Sequence, residues 1–156
     1  SSDLEDAAAL IWSEYEKAAA GGAVAVAGAS LGGFYAAWLA GRTGIRAALL
    51  NPAVEPWDIV KLYNGEYKSF TGDKIVRVTP DYADQLRALD AKPFADPARV
   101  LIVLCTGDEV LDWRRAAKRF SDVQSIVIDG SDHRISCFEE YAVGVRDFLL
   151  AGSDRS

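Results

Sequence analysis

The sequence Ala23-Val-Ala-Val-Ala-Gly-Ala-Ser-Leu-Gly-Gly-Phe34 decides the fold that we expect of this chain. Its apolar start, residues 23–27, predicts a buried strand, and the apolar run 34–40, closed by Gly41, predicts a helix. Between them lies a G-x-S-x-G pattern, in which the serine stands on a sharp turn from strand to helix. The stretch therefore predicts that Ser30 presents its hydroxyl at a helix N-terminus, where N–H groups favour a developing negative charge.

The glycines around Ser30 separate this interpretation from two others. We expect that a Cβ at Gly28 or Gly32 would obstruct the turn. Glycine-rich turns also bind phosphate, and a serine before a helix is often only an N-cap. A dinucleotide-binding loop, however, needs G-x-G-x-x-G, which Gly28, Gly32 and Gly33 do not supply, and no Gly-Lys-Ser/Thr of a P-loop follows. The pattern thus favours a reactive serine.

Composition limits the class of protein. The chain has 156 residues, half of them hydrophobic, with a net charge of −6, which suits one globular domain over residues 1–156. The acidic balance argues against nucleic acid and anionic membranes as partners, and no apolar run could span a bilayer. One histidine argues against a His/Cys zinc site, so we expect no metal and no cofactor. Cys105 and Cys137 form no C-x-x-C pair, and two free thiols predict a cytoplasmic protein.

Strand and helix patterns alternate along the chain. An amphipathic helix runs from Leu4 to Ala19, and further elements follow the central stretch. The predicted strands are 45–50, 100–105 and 124–128, and the predicted helices are 80–89, 113–120 and 137–150. This alternation predicts an α/β-hydrolase-like fold, a mostly parallel sheet with helices on both faces.

Residues 52–98 are the least regular region. They form either a partial cap over the site or an irregular crossover, and we favour the cap. Trp57 and Tyr63 are then candidates for substrate binding, although aromatic residues in such a segment are at least as often local core.

Three residues with complementary chemistry follow the ends of predicted strands. Ser30, Asp108 and His133 should meet at one edge of the sheet, because the carboxyl ends of parallel strands lie together. Their order along the chain, Ser, Asp, His, is that of the α/β-hydrolases. They predict nucleophilic catalysis through an acyl-enzyme, with Ser30 attacking and His133 accepting its proton.

The acid is the least secure member of this set. Asp112 suits the start of a helix, Asp129 could cap a turn, and the side chain of Asp132 should point away from its neighbour His133. Asp108 follows Thr106-Gly107 directly after a strand, so a tight turn can aim its carboxylate at the next loop. We therefore choose Asp108.

Longer motifs give the chain a family resemblance. Gly28-Ala-Ser-Leu-Gly-Gly-Phe-Tyr-Ala36, Asn51-Pro-Ala-Val54, Thr106-Gly-Asp-Glu-Val-Leu-Asp112 and Asp132-His133 resemble the YqiA-like esterases, small bacterial α/β-hydrolases. The resemblance implies that Ser30 is the nucleophile, Asp108 the acid and His133 the base, in hydrolysis of acyl esters, including thioesters. Where the family usually has Gly-Asn-His, this chain has Ser-Asp-His. The extra acid should favour the protonated base and move the activity optimum to higher pH.

The resemblance also implies a strand and a His-Gly loop upstream, which this chain lacks. We expect strand 23–27 to be mid-sheet, with strand 45–50 on one side and an open apolar edge on the other. The absence of Met and the Ser-Ser-Asp opening suggest a processed or truncated chain, whose upstream segment is removed, on another chain or replaced by a dimer contact.

The oxyanion would then receive the Leu31 backbone N–H but lack its upstream donor, a loss of roughly 10²–10³ in turnover. The alternatives are therefore an impaired hydrolase-like domain that only binds acyl ligands, and an acyltransferase.

Overall fold

The computed structural model describes residues 3–60, 65–68, 75–78 and 81–151. Within these ranges the strands are β1 (Ala25–Ala29), β2 (Arg46–Leu50), β3 (Gly65–Lys68), β4 (Ile75–Val78), β5 (Val100–Cys105) and β6 (Gln124–Ile128). The α-helices are α1 (Asp3–Gly21), α2 (Leu31–Thr43), α3 (Pro56–Val60), α4 (Asp81–Ala88), α5 (Trp113–Arg119) and α6 (Ala142–Leu150).

Four parallel strands form the main sheet in the order β1-β2-β5-β6. Their register aligns Ala29 with Leu50, Leu50 with Val103, and Cys105 with Ile128, so the carboxyl ends share one edge. A separate antiparallel pair, β3 and β4, lies in the region that the sequence had indicated as irregular.

Helices cover both faces of this sheet, as the alternating pattern predicted. Val100, Ile102 and Leu104 of β5 pack in one core cluster with residues of α2 and α5. The alternate residues of β5, including Leu101 and Val103, pack in another cluster with Val145 of α6. The side chains of successive strand residues point to opposite faces, so a strand buried on both sides is apolar throughout.

The strand β1 corrects one expectation from the sequence. It runs from Ala25 to Ala29 rather than over 23–27, and among the described residues it pairs only with β2. Val26 and Gly28 are half-buried, whereas the alanines between and beside them are exposed. This strand is therefore neither mid-sheet nor buried on both faces within the described residues. The upstream pairing segment remains a prediction.

Two helices also end differently from the prediction. α2 passes through Gly41 and ends at Thr43, and the next residue, Gly44, has a φ of 74° that gives the left-handed cap typical of helix ends. The predicted helix 137–150 is divided into a 3₁₀ turn, Phe138–Glu140, and α6. No helix in the described part of the chain is long and apolar enough to cross a membrane.

Candidate active site

Ser30 occupies a strained turn between β1 and α2. Its φ of 55° and ψ of −122° lie in a region that residues other than glycine rarely adopt. Such strain costs on the order of 1–3 kcal/mol and persists only where the surroundings hold it. Here the Ser30 N–H donates to the Leu50 carbonyl at 3.0 Å, and the Ser30 carbonyl accepts from the Ala53 N–H at 2.9 Å. The neighbouring strand β2 and the loop after it therefore fix the serine at the sheet edge.

The glycines of the motif differ in whether the structure has space for a side chain at their positions. A Cβ on Gly28 would lie 2.1 Å from the Gly32 carbonyl oxygen, and one on Gly33 would lie 2.7 Å from the Pro52 Cβ. A Cβ on Gly32 would meet nothing within 4 Å. The expectation that Gly32 is sterically required is therefore wrong, because its missing side chain would point into open space. The close contact involves Gly33 instead.

Ser30, His133 and Asp108 form one continuous hydrogen-bonded chain. The Nε2 atom of His133 lies 2.9 Å from Ser30 Oγ, and Nδ1 lies 3.0 and 2.9 Å from the two Asp108 carboxylate oxygens. A carboxylate can only accept, so in the neutral imidazole Nδ1 carries the proton and Nε2 can accept from the serine hydroxyl. The geometry suits transfer of a proton from Ser30 to His133.

The Asp108 carboxylate is almost completely buried, with 1% of its side chain exposed. Its Oδ1 atom accepts from the N–H groups of Val110 and Leu111, each at 2.9 Å, in addition to the imidazole. A buried charge of this kind requires such partners. These bonds also fix the carboxylate rotamer, which sets the plane of the imidazole that it holds.

Gly107 allows the loops carrying Asp108 and His133 to touch. The Gly107 N–H donates to the Gly130 carbonyl at 2.8 Å, and a Cβ on Gly107 would lie only 2.3 Å from the Ser131 carbonyl oxygen. Thr106 Oγ1 accepts from the Gly130 N–H at 2.7 Å and adds a second link. Because Gly107 has no side chain, the loop of Asp108 can lie this close to the loop of His133.

The other three aspartates considered for the acid are bonded elsewhere. Asp112 caps α5 by accepting from the Arg114 N–H at 3.0 Å, and Asp129 lies 3.2 Å from the Thr106 hydroxyl. Asp132 accepts from Ser136, and hydrogen bonds from the Ser136 hydroxyl and N–H hold the pKa of Asp132 below its ordinary value. Asp108 is thus the aspartate whose side chain the structure brings to His133.

Two residues near His133 were not identified from the sequence. Asn51, after β2, donates to the carbonyl of His133, and the Glu109 carboxylate accepts from the His133 N–H at 3.0 Å. Both residues stand in motifs that carried the family resemblance. The sequence did contain one signal for Asn51: it is a polar residue directly after the strand that neighbours the serine strand.

Three further residues were predicted for the site, namely Leu31, Trp57 and Tyr63. Leu31 follows Ser30 as the first residue of α2 and is 41% exposed, and its N–H has no partner among the described residues. Trp57 is half-buried in a cluster with Phe34, and their rings meet edge to face at 6.2 Å. Tyr63 lies outside the described residues. The roles assigned to these three residues remain predictions.

A cleft adjoins the segments that hold Ser30 and Asp108. Residues 52–56 lie on one side of it and Leu111, Asp112 and Arg115 on the other, and its cavity volume is about 30 Å³. Arg115 is paired with Glu55 and Asp58 across it. In the described ranges, no three His, Cys, Asp or Glu side chains are grouped to hold a metal ion.

Comparison with solved structures shows the same fold. Est1E from Butyrivibrio proteoclasticus is 19% identical with a TM-score of 0.54, and the match covers 83% of this chain and 61% of Est1E. Alpha/beta hydrolase domain-containing protein 10 from mouse is 15% identical with a TM-score of 0.59, covering 85% and 64%. E-2-(acetamidomethylene)succinate hydrolase is 15% identical with a TM-score of 0.59, covering 97% and 75%.

The chain spans about three fifths of the length of Est1E and of the mouse protein. At these identities the likeness concerns the fold alone, and it confirms the predicted α/β-hydrolase architecture. A family model matches residues 4–150, nearly the whole chain. The chain therefore belongs to the Uncharacterised protein family UPF0227, the YqiA-like family that its motifs resemble.

Proposed function

We propose that the protein is a serine hydrolase that cleaves acyl esters, thioesters included, through a covalent acyl-enzyme. The observation that carries the proposal is the unbroken chain of contacts from Ser30 through His133 to Asp108, with Ser30 at a φ of 55°. An N-cap serine would need neither a strained backbone nor a histidine on its hydroxyl. A phosphate-binding turn would likewise not require an imidazole beside the serine hydroxyl.

The reaction follows from the positions of the protons. As Ser30 Oγ attacks the ester carbonyl, its proton moves to Nε2 of His133, and Asp108 stabilises the imidazolium. The imidazolium then protonates the departing alcohol or thiol, which leaves an acyl group on Ser30. Water loses a proton to Nε2 as it attacks the acyl-enzyme, and the proton returns to Ser30 when the acid leaves.

The oxyanion that forms on the carbonyl needs hydrogen-bond donors. We assign the Leu31 N–H to this role because it is the first donor of α2 and is unpaired within the described residues. The positive end of the helix dipole adds to its effect. A donor of this kind contributes roughly 10²–10³ to turnover.

The cleft between residues 52–56 and Leu111 is our candidate for the acyl group. This cleft is small, with a cavity volume of about 30 Å³, and it borders Ala53, whose N–H is bonded to the Ser30 carbonyl. Trp57 packs behind residues 52–56, against Phe34. We propose small acyl esters as substrates, held by this cleft and by the region 52–98 acting as a partial cap on a single domain.

Hydrolysis of a short p-nitrophenyl ester tests the proposal, with Ser30→Ala as the test variant and Ser121→Ala, at an exposed turn, as the control. We expect Ser30→Ala to abolish turnover and Ser121→Ala to retain it. Equal rates for Ser30→Ala and the unaltered protein would refute the proposal. Binding of the ester without turnover in the unaltered protein would instead indicate a domain that only holds acyl ligands.

The substrate panel should include a feruloyl ester, because Est1E has been solved with ferulic acid bound. An added alcohol distinguishes hydrolysis from acyl transfer. If the enzyme transfers acyl groups, a new ester accumulates at the expense of the free acid.

A further inference from the structure

Asn51 is a polar residue buried at the centre of the sheet edge, with 2% of its surface exposed. It directly follows β2, between the strand that leads to Ser30 and the strand that leads to Asp108. Its own N–H continues the sheet pairing, donating to the Val103 carbonyl at 2.8 Å. Its carboxamide is therefore free to make other bonds, and in this buried position it must make them.

The carboxamide joins two elements that carry the proposed reaction. Its Oδ1 accepts from the Cys105 N–H, at the end of β5, at 2.9 Å. Its Nδ2 donates to the carbonyls of Asp132 and His133, at 3.2 and 3.0 Å. One side chain thus connects the strand end that precedes Asp108 with the loop that carries His133.

The loop that it holds does not have a relaxed backbone. Ser131 has a φ of 58° and Ile135 a φ of 53°, the latter in a β-branched residue for which a positive φ is a genuine outlier. One such residue lies on each side of His133, and a loop with this backbone keeps its shape only if its surroundings fix it. Asn51 holds the His133 carbonyl from the buried side, and Glu109 holds its N–H from the exposed side.

We infer that Asn51 is a positioning residue for the proposed reaction: its carboxamide fixes the His133 peptide so that the imidazole lies between Asp108 and Ser30. The inference rests on the proposed function, because it assigns a purpose to the placement of the base. Asn51 touches neither the reacting serine nor the acyl group. It acts through the backbone of His133.

The alternative is that Asn51 only satisfies buried backbone groups and so stabilises the fold. The two roles differ in what a variant does to the imidazole. A stabilising role changes the midpoint of unfolding, whereas a positioning role also changes the protonation pattern and contacts of the His133 ring in protein that is still folded.

The chain has one histidine, so every imidazole signal in its NMR spectrum belongs to His133. In the unaltered protein we expect the neutral ring to carry its proton on Nδ1, with a low-field proton signal from the bond to Asp108. This signature does not depend on whether the protein hydrolyses esters, so failure of the inference can be distinguished from failure of the proposed function.

Asn51→Gly removes the carboxamide while tolerating the φ of 41° at this position. Asn51→Asp keeps an acceptor for the Cys105 N–H but loses both bonds to the loop. Phe120→Leu, in the core cluster that packs α5, is the control for lost stability. We expect both Asn51 variants to lose the low-field signal and to lower kcat by about 10²-fold with KM changed far less. The control should keep the wild-type signal.

A folded Asn51 variant with the wild-type imidazole spectrum would overturn the inference, whatever its kcat. Should neither variant fold, the unaltered protein decides the question. Its Asn51 Nδ2 protons must exchange with solvent much more slowly than those of a free carboxamide. Exchange at the free rate would contradict the bonds on which the inference depends.

Discussion

Replacing Gly107 with alanine should separate the acid from the base without removing either. The new Cβ would lie 2.3 Å from the Ser131 carbonyl oxygen and 2.8 Å from the Gly130 carbonyl carbon. Both are backbone atoms, which cannot rotate away. To reach even 3.0 Å, the tightest separation that Cβ atoms tolerate, the two loops must move apart by about 0.7 Å, the difference between 3.0 and 2.3 Å.

That displacement acts directly on the contacts between His133 and Asp108, which are now 2.9 and 3.0 Å. Hydrogen bonds weaken steeply at separations well beyond 3.2 Å, so the imidazole would lose much of its orientation. A misplacement of about 1 Å in catalytic geometry costs on the order of 10²-fold in rate. We therefore expect Gly107→Ala to lower kcat for a p-nitrophenyl ester by about 10²-fold, with KM little changed.

Gly144→Ala is the matched control. Gly144 lies in α6, where an added Cβ meets nothing within 4 Å, so the same substitution should leave kcat unchanged. It should also raise the free energy of unfolding by up to about 1 kcal/mol, because alanine favours helix over glycine. A Gly107→Ala protein that is folded and retains full kcat would show that the two loops can separate without consequence, and it would refute this reasoning.

Two further predictions concern the aspartates of the same loops. Asp108→Asn should lower kcat by about 10⁴-fold, because an amide can hold the imidazole in the wrong tautomer. Asp129→Asn is the control and should leave kcat within a few-fold, and steady-state kinetics on both variants compares them. Ser136→Ala should return the pKa of Asp132 towards its ordinary value of 3.8. Because the folded pKa is the lower one, the lost stability should be measurable by urea unfolding at pH 7. It should shrink as the pH falls below 3.8 and vanish below the folded pKa, so an equal loss at pH 3 would contradict the prediction.

Two strands of the sheet were readily predicted from the sequence. Val100–Cys105 and Gln124–Ile128 form strands over the residues that their apolar patterns indicate. β5 is buried on both faces, so each of its six residues must be apolar, and the pattern is uninterrupted. β1 was harder to place, because its alanines are exposed and an apolar run of alanines suggests a buried strand.

Other boundaries depended on contacts that no local pattern contains. Gly41 looked like the end of a helix, yet it lies inside α2, where a Cβ would approach the Lys92 carbonyl oxygen at 3.1 Å. Close packing, rather than a helix end, accounts for that glycine. The pair β3 and β4 was missed because Gly65-Glu-Tyr-Lys68 lacks the apolar alternation of a core strand.

The residues of the candidate site also differ in how far the sequence predicts them. Ser30, Asp108 and His133 each follow a strand of a parallel sheet, so topology alone brings them to one edge, and their contacts accord with the prediction. The contacts of Asn51 and Glu109 are with backbone atoms of a distant loop. Any residue type can offer such atoms, so the sequence marks Asn51 as a polar residue after a strand but does not reveal which backbone groups it contacts.

Labelling by a fluorophosphonate tests the central claim most directly, because the reagent reacts with a serine only when a base activates it. We expect a single adduct, located by mass spectrometry on Ser30, and a large loss of labelling rate in His133→Ala. Labelling of Ser30 at the same slow rate with and without the imidazole, or no labelling of the folded protein, would contradict the account.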